Sequence, residues 1–259
     1  MFRRARRLAE RVLARHLRRA LPMLCLGLAG AMPSATAAQD PQPWVSSGVE
    51  WARFAAPTAR YPHGVLGDEI EYGALEIKYD GDARVFTLTL PTARVFEDTT
   101  PRVVDVDGDG LAEVVVVESD RDQGARLAIY NGAGLLAATP FIGQRFRWLA
   151  PVAIADLDGD GAVELAYIDR PHLAKTLRIW RYANDGLIEV ASQEGLTNHR
   201  IGERDIAGGL RNCADGPEMI VARADWRRVM SVRFDGTGLI TTELGPHTGR
   251  DSFAKAMAC

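Results

Sequence analysis

Along most of the chain, apolar and polar residues alternate with a period of two instead of recurring every three or four positions. Phe86, Leu88 and Leu90 alternate with Val85, Thr87 and Thr89. Met230, Val232 and Phe234 alternate with Val229, Ser231 and Arg233. This period places successive side chains on opposite faces, so the runs predict β-strands. Past the N-terminal leader, no long stretch has helical apolar spacing. The runs end at tight-turn dipeptides: Tyr79-Asp80-Gly81, Tyr130-Asn131-Gly132, Asp185-Gly186 after Tyr182, and Phe234-Asp235-Gly236. Asp-Gly and Asn-Gly between apolar runs predict hairpins, because the turn needs positive φ.

The glycines of those turns lie 51, 54 and 50 residues apart. A second landmark repeats at the same interval. Asp105-Val106-Asp107-Gly108-Asp109-Gly110-Leu111-Ala112-Glu113 returns as Asp156-Leu157-Asp158-Gly159-Asp160-Gly161-Ala162-Val163-Glu164, and each copy runs into an apolar segment. Repeats of this length, with about four strands and no helix each, predict β-propeller blades. The expected fold is therefore all-β: a propeller, or part of one, of about four four-stranded blades, with five as the alternative count. The blades fall near 61–100, 101–149, 150–202 and 203–249, within a domain spanning 61–259. The first is shortened, since Val65-Leu66-Gly67-Asp68 runs almost directly into Glu69-Ile70-Glu71-Tyr72. Residues 38–60, rich in Pro and Ala, read as a linker or a ring-closing strand.

The acidic loops carry the clearest chemistry. Each puts carboxylates at its first, third, fifth and ninth positions: Asp105, Asp107, Asp109 and Glu113, then Asp156, Asp158, Asp160 and Glu164. Alternate residues of a tight loop can converge on one point, and the backbone carbonyls of Leu111 and Ala162 can add a ligand each. Such a hard, oxygen-rich set selects Ca²⁺, about two ions in all. Neither loop contains His or Cys, which argues against zinc. The EF-hand shares the opening but needs its bidentate Glu at the twelfth position, where this chain has Val116 and Tyr167.

This pattern, preceded by Pro101-Arg102-Val103-Val104 or Ala150-Pro151-Val152-Ala153-Ile154 and followed by a strand, resembles the FG-GAP/VCBS repeats. These are the calcium-loop blades of integrin α-chains and of many exported bacterial proteins. The resemblance implies a calcium-stabilised propeller and no single activity. It holds in the second and third blades. The last blade keeps Asp205 and resumes at Asp215-Gly216-Pro217-Glu218, so Asp205 and Glu218 are not expected to be ligands.

Charge and cysteine usage add a compartment. Residues 1–37 contain eight Arg and one Glu, then a twelve-residue apolar run, Ala20 to Ala31, and small residues up to Ala37. That order reads as a secretory signal peptide. Twelve residues span only about 18 Å as a helix, too short for a bilayer. The mature chain is then expected to be periplasmic or secreted, with no membrane span. It carries 23 basic against 33 acidic residues, which argues against a nucleic-acid partner. Cys213 and Cys259 are left as an even pair in an oxidising compartment and are expected to form a disulfide.

No motif of a hydrolase, metalloprotease or phosphate-binding loop is present, so no catalytic residue is assigned. His63, His172, His199 and His247 are scattered along the chain and read as turn or surface residues. Glu69, Glu71, Glu118 and Asp120 could supply a glycosidase pair, but lone carboxylates in an acidic protein usually solvate. Trp148, Trp180 and Trp226 read as blade core. The functional expectation is a non-catalytic binding scaffold for a protein or carbohydrate ligand. The alternatives are a hydrolase or lyase with a central-pocket site, and a structural envelope protein.

Overall fold

The structure is a computed structural model that describes residues 48–259; the leader expected at 1–37 lies outside the described residues. The described part is all-β apart from one short helix. β1 (Val49–Thr58), β2 (Glu71–Tyr79) and β3 (Val85–Thr89) form a first antiparallel layer, with β2 in the middle. β1 lies inside the stretch read as linker or ring-closing strand, and Val65-Leu66-Gly67-Asp68, whose close run into Glu69–Tyr72 marked the first blade as shortened, lies in the loop between β1 and β2.

β4 (Arg94–Phe96) and β5 (Arg102–Val104) pair with successive halves of β6 (Glu113–Asp120), so together they make one interrupted strand. β7 (Gly124–Asn131) and β8 (Gly134–Ala138) complete a second layer of four strand positions. A single pairing of Tyr72 with Phe96 joins it to the first. β9 (Leu149–Ala155), β10 (Glu164–Asp169), β11 (Thr176–Ala183) and β12 (Gly186–Glu194) form a separate four-stranded meander. The last layer repeats the interrupted pattern. β13 (Leu196–Thr197) and β14 (Gly209–Cys213) share one edge of β15 (Gly216–Arg223), followed by β16 (Arg228–Phe234) and β17 (Leu239–Pro246). The chain ends in α1 (Arg250–Met257), a helix the strand-like pattern does not predict.

The apolar runs alternate between two cores. Val114 and Val116 of β6 pack with Leu75, Ile77 and Tyr79 of β2, while Val115 and Val117 pack with Leu149, Leu165 and Tyr167 of the third layer. Likewise Leu165 and Tyr167 of β10 face the second layer, and Ala166 and Ile168 face Met219 and Val221 of β15. Sheets buried on both faces read as continuous hydrophobic runs, which explains four valines in a row. The two outer faces end the stack differently. On the first layer, Glu76 pairs with Arg53 and Lys78 lies beside Glu50. On the last, Ile220, Ala222 and Val229 are covered by Phe253 of α1. Among the described residues no strand residue of the first layer shares an apolar cluster with a strand residue of the last, but Val65 and Leu66 of the β1–β2 connection and Ile206 of the β13–β14 connection join one cluster, and Gly202 N–H donates to the Val65 carbonyl at 2.9 Å.

Candidate metal loops and a buried histidine cluster

Both acidic loops connect the first and second strands of a layer, β5 to β6 and β9 to β10. Their folding is local. Asp105 accepts the N–H of Gly108 at 2.8 Å on one oxygen and that of Gly110 at 3.0 Å on the other. Asp156 does the same with Gly159 and Gly161, at 2.7 and 3.0 Å. The turns need Gly108 and Gly159 at φ of 76° and 81°, where a β-carbon is strained. Each loop closes on its glutamate: Val106 N–H donates to Glu113 at 2.9 Å, and Leu157 N–H to Glu164 at 2.8 Å.

Carboxylate oxygens of Asp105, Asp107 and Glu113 lie within 4.8 Å of one another, as do those of Asp156, Asp158 and Glu164. Asp109 and Asp160 stand outside these triples. They are exposed, and each accepts an N–H from Leu111 or Ala162, the residues expected to contribute carbonyls. The first loop holds no basic side chain. Burial, and then the charges of Asp107, Asp109 and Asp105, push Glu113 up to about 7. Crowded hard oxygens with uncompensated charge fit a divalent ion such as Ca²⁺.

The second loop differs in one respect. Arg181 on β11 is the register partner of Glu164. Its guanidinium reaches Glu164 at 2.6 Å, Asp158 at 2.8 Å and Asp160 at 2.9 Å. This arginine binds two of the three converging carboxylates, Asp158 and Glu164, and nothing in the loop sequence announced it.

The last layer has no acidic loop. β14 and β15 are joined by the two-residue turn Ala214-Asp215, flanked by the paired Cys213 and Gly216. Cys213 is bridged to Cys259 with the Cα atoms 5.7 Å apart. Asp205 and Glu218 are held by arginines instead, Arg250 and Arg211.

All four histidines lie in connections between elements, as read, but three of them are buried or half-buried and are not isolated. His63, His172 and His199 come from three separate connections and converge. His63 Nδ1 lies 2.5 Å from Oε1 of Glu97, which is fully buried; Ser119 donates its hydroxyl to the other carboxylate oxygen. Trp148 Nε1–H donates to the Glu97 carbonyl at 2.8 Å, and the His63 ring stacks on Phe146 at 5.0 Å. His199 Nε2 faces the Glu203 carbonyl at 2.8 Å, and its Nδ1 faces His172 Nε2 at 3.1 Å. Burial lowers both, His172 to about 4. In the neutral forms, Nε2–H of His199 donates to the carbonyl and Nε2–H of His172 donates to His199, which leaves Nδ1 of His172 without a proton. His63 and His172 border one cavity of about 30 Å³ with Arg147 and Arg170. His247 is separate, its Nδ1 facing the Trp226 carbonyl.

The acids read as solvated are also mostly buried. Glu118 is fully buried between Arg94, Arg126 and the hydroxyl of Tyr130, and Asp120 pairs with Arg94. Glu71 is 2% exposed, while Glu69 is exposed. Trp148 is core at 2% exposure; Trp180 and Trp226 are half-buried against core clusters.

Residues 105–167, from the first acidic loop through the second, match the family model described as FG-GAP-like repeat. The matched stretch runs from the second layer into the second strand of the third and takes in both acidic loops. No curated protein matches the chain. Among the described residues no helix is long and apolar enough to cross a membrane.

Proposed function

We propose that the protein is an exported, calcium-binding scaffold built as an open β-propeller of four blades. The observation that carries this reading is the pair of matching loops, each bringing three carboxylates within 4.8 Å inside the stretch that matches FG-GAP-like repeats. Calcium held by Asp105, Asp107 and Glu113, and by Asp156, Asp158 and Glu164, would tie the first strand of a blade to its second. In the last blade, where the acidic loop is lost, the Cys213–Cys259 bridge would instead fix the end of β14 by pinning the segment after α1 to it. A disulfide and a repeat typical of extracellular proteins support export. Calorimetry on EDTA-stripped protein tests the metal. Saturable calcium binding, lost at the first loop in Asp105→Asn/Asp107→Asn, is expected. Absence of calcium heat, together with an unchanged melting temperature at millimolar calcium, would refute it.

One observation favours a second reading, a hydrolase or lyase: the His63–Glu97 pair, an imidazole oriented by a buried carboxylate beside Arg147 and Arg170. Turnover of chromogenic esters, glycosides or uronides by the wild type, abolished in His63→Asn, would establish it. No turnover in either would remove it.

A further inference from the structure

Glu71 opens β2, the central strand of the first layer, and is 2% exposed. Among the described residues its carboxyl has no hydrogen-bond or ion-pair partner, and its oxygens are not among the fully enclosed unpartnered atoms, so what little of it is exposed includes the carboxyl. It borders a cavity of about 370 Å³, within the range of small-molecule sites. The stacked rings of Phe54 and Tyr72, 5.5 Å apart, form part of the wall, and Leu66 and Ile70 add apolar surface.

The charged groups around Glu71 do not neutralise it. Asp98 borders the same cavity, but Arg102 and the N–H groups of Thr99 and Val117 occupy both its oxygens. Asp68 accepts the Ile70 N–H at 2.9 Å and has no cation. Glu97, behind them, is held by His63 and Ser119. Of the two arginines on the cavity wall, Arg53 is bound to Glu76, and Arg204 leaves both Glu71 and Asp68 unpaired. Burial and the charges of Glu97, Asp68 and Asp98 push Glu71 up to about 9. The unpaired acids, Glu71 and Asp68, outnumber the one uncommitted cation on the cavity wall, Arg204. A metal ion is a poorer fit than an organic cation, because Glu71 belongs to neither of the two carboxylate sets that converge within 4.8 Å among the described residues.

We infer that the cavity bordered by Glu71 binds an organic cation, a primary ammonium or guanidinium on an apolar stem. The charged end pairs with Glu71 and the stem lies along Phe54, Tyr72 and Leu66. The group comes from a free amine or from a Lys or Arg side chain of a partner protein. This site is separate from the acidic loops and does not depend on their holding calcium.

Calorimetry on the full chain at pH 7.5 tests it, with agmatine and with an N-acetylated, C-amidated Phe-Arg peptide as probes. Each titration is run in two buffers of different ionisation enthalpy. The expected result is saturable one-to-one binding with proton release, since pairing ionises Glu71. Affinity should fall at least tenfold, and proton release should vanish, in Glu71→Gln, which keeps the shape of the side chain. Glu69→Gln, an exposed neighbour, should bind as the wild type does. Tighter binding of agmatine identifies a free amine, and tighter binding of the peptide identifies a side chain; either supports the site. No saturable binding of either probe, equal affinity in Glu71→Gln, or equal losses in both variants would overturn it. Circular dichroism and melting curves establish that each variant is folded.

Discussion

The Arg181 guanidinium lies 2.8 Å from Asp158 and 2.6 Å from Glu164, while Asn131, one residue past the partner of Val114, holds the corresponding place beside the first loop. One loop carries an internal cation and its twin does not. An ion entering the second loop must displace or share with Arg181, whereas the first loop gains charge compensation only from the ion. We therefore expect two unequal calcium affinities. Arg181→Ala should tighten the weaker step about tenfold, roughly 1.4 kcal/mol, and leave the tighter one unchanged. Calorimetric titration of both proteins measures this; two equal sites in the wild type would contradict it.

The Cys213–Cys259 bridge closes 46 residues and joins the β14 turn to the end of α1. Loop entropy gives it about 4 kcal/mol. At about 2–4 °C per kcal/mol for a domain of this size, the double Cys→Ser variant should melt about 10 °C lower. Calcium stoichiometry should not change, because neither cysteine touches an acidic loop. Differential scanning calorimetry and calcium titration read the two effects separately.

The histidine pair predicts a pH dependence. Burial lowers His172 from 6.5 to about 4, and His199 in the same direction. The unfolded chain then takes up protons first, so the stability these residues contribute is present above about pH 6.5 and is lost as the pH falls towards 4. The loss from His172 should be about 2 kcal/mol after allowing for its partial exposure. Urea denaturation between pH 7 and 4 should show a shallower decline for His172→Gln than for the wild type. Parallel curves would contradict the assignment.

Gly124 begins β7 at φ 73°, and a β-carbon there would sit 2.2 Å from the Gln144 carbonyl oxygen and 2.7 Å from that of Arg147. That crowding adds to the left-handed backbone cost, so Gly124→Ala should destabilise by about 3 kcal/mol. Gly81, at φ 75° with nothing within 4 Å, should lose only about 1 kcal/mol on the same substitution. Chemical denaturation of the two variants gives the comparison directly. Equal losses would mean that the 144–147 segment yields freely.

Legibility followed distance along the chain. The acidic loops could be read because their geometry is local: Asp105 binds N–H groups three and five residues on, and Glu113 closes on Val106. Period-two alternation and the Asp-Gly and Asn-Gly turns gave the strands for the same reason. The disulfide was legible only as a count of two thiols. α1 escaped notice because eight residues with one buried side chain, Phe253, leave little apolar period to detect.

What the amino-acid order determined by itself, then, was an all-β chain with two acidic loops repeated in step, since those features arise from neighbours a few residues apart. Tertiary structure decided the rest. It brought Arg181 across a hairpin to Glu164, 17 residues away, carried His172 to His199 over 27, and left Glu71 unpaired at the edge of a cavity. It also closed the outer face of the last layer with α1 instead of the first layer. Such meetings depend on how sheets stack, and stacking is set by the summed burial of faces far apart in sequence, for which no local pattern exists.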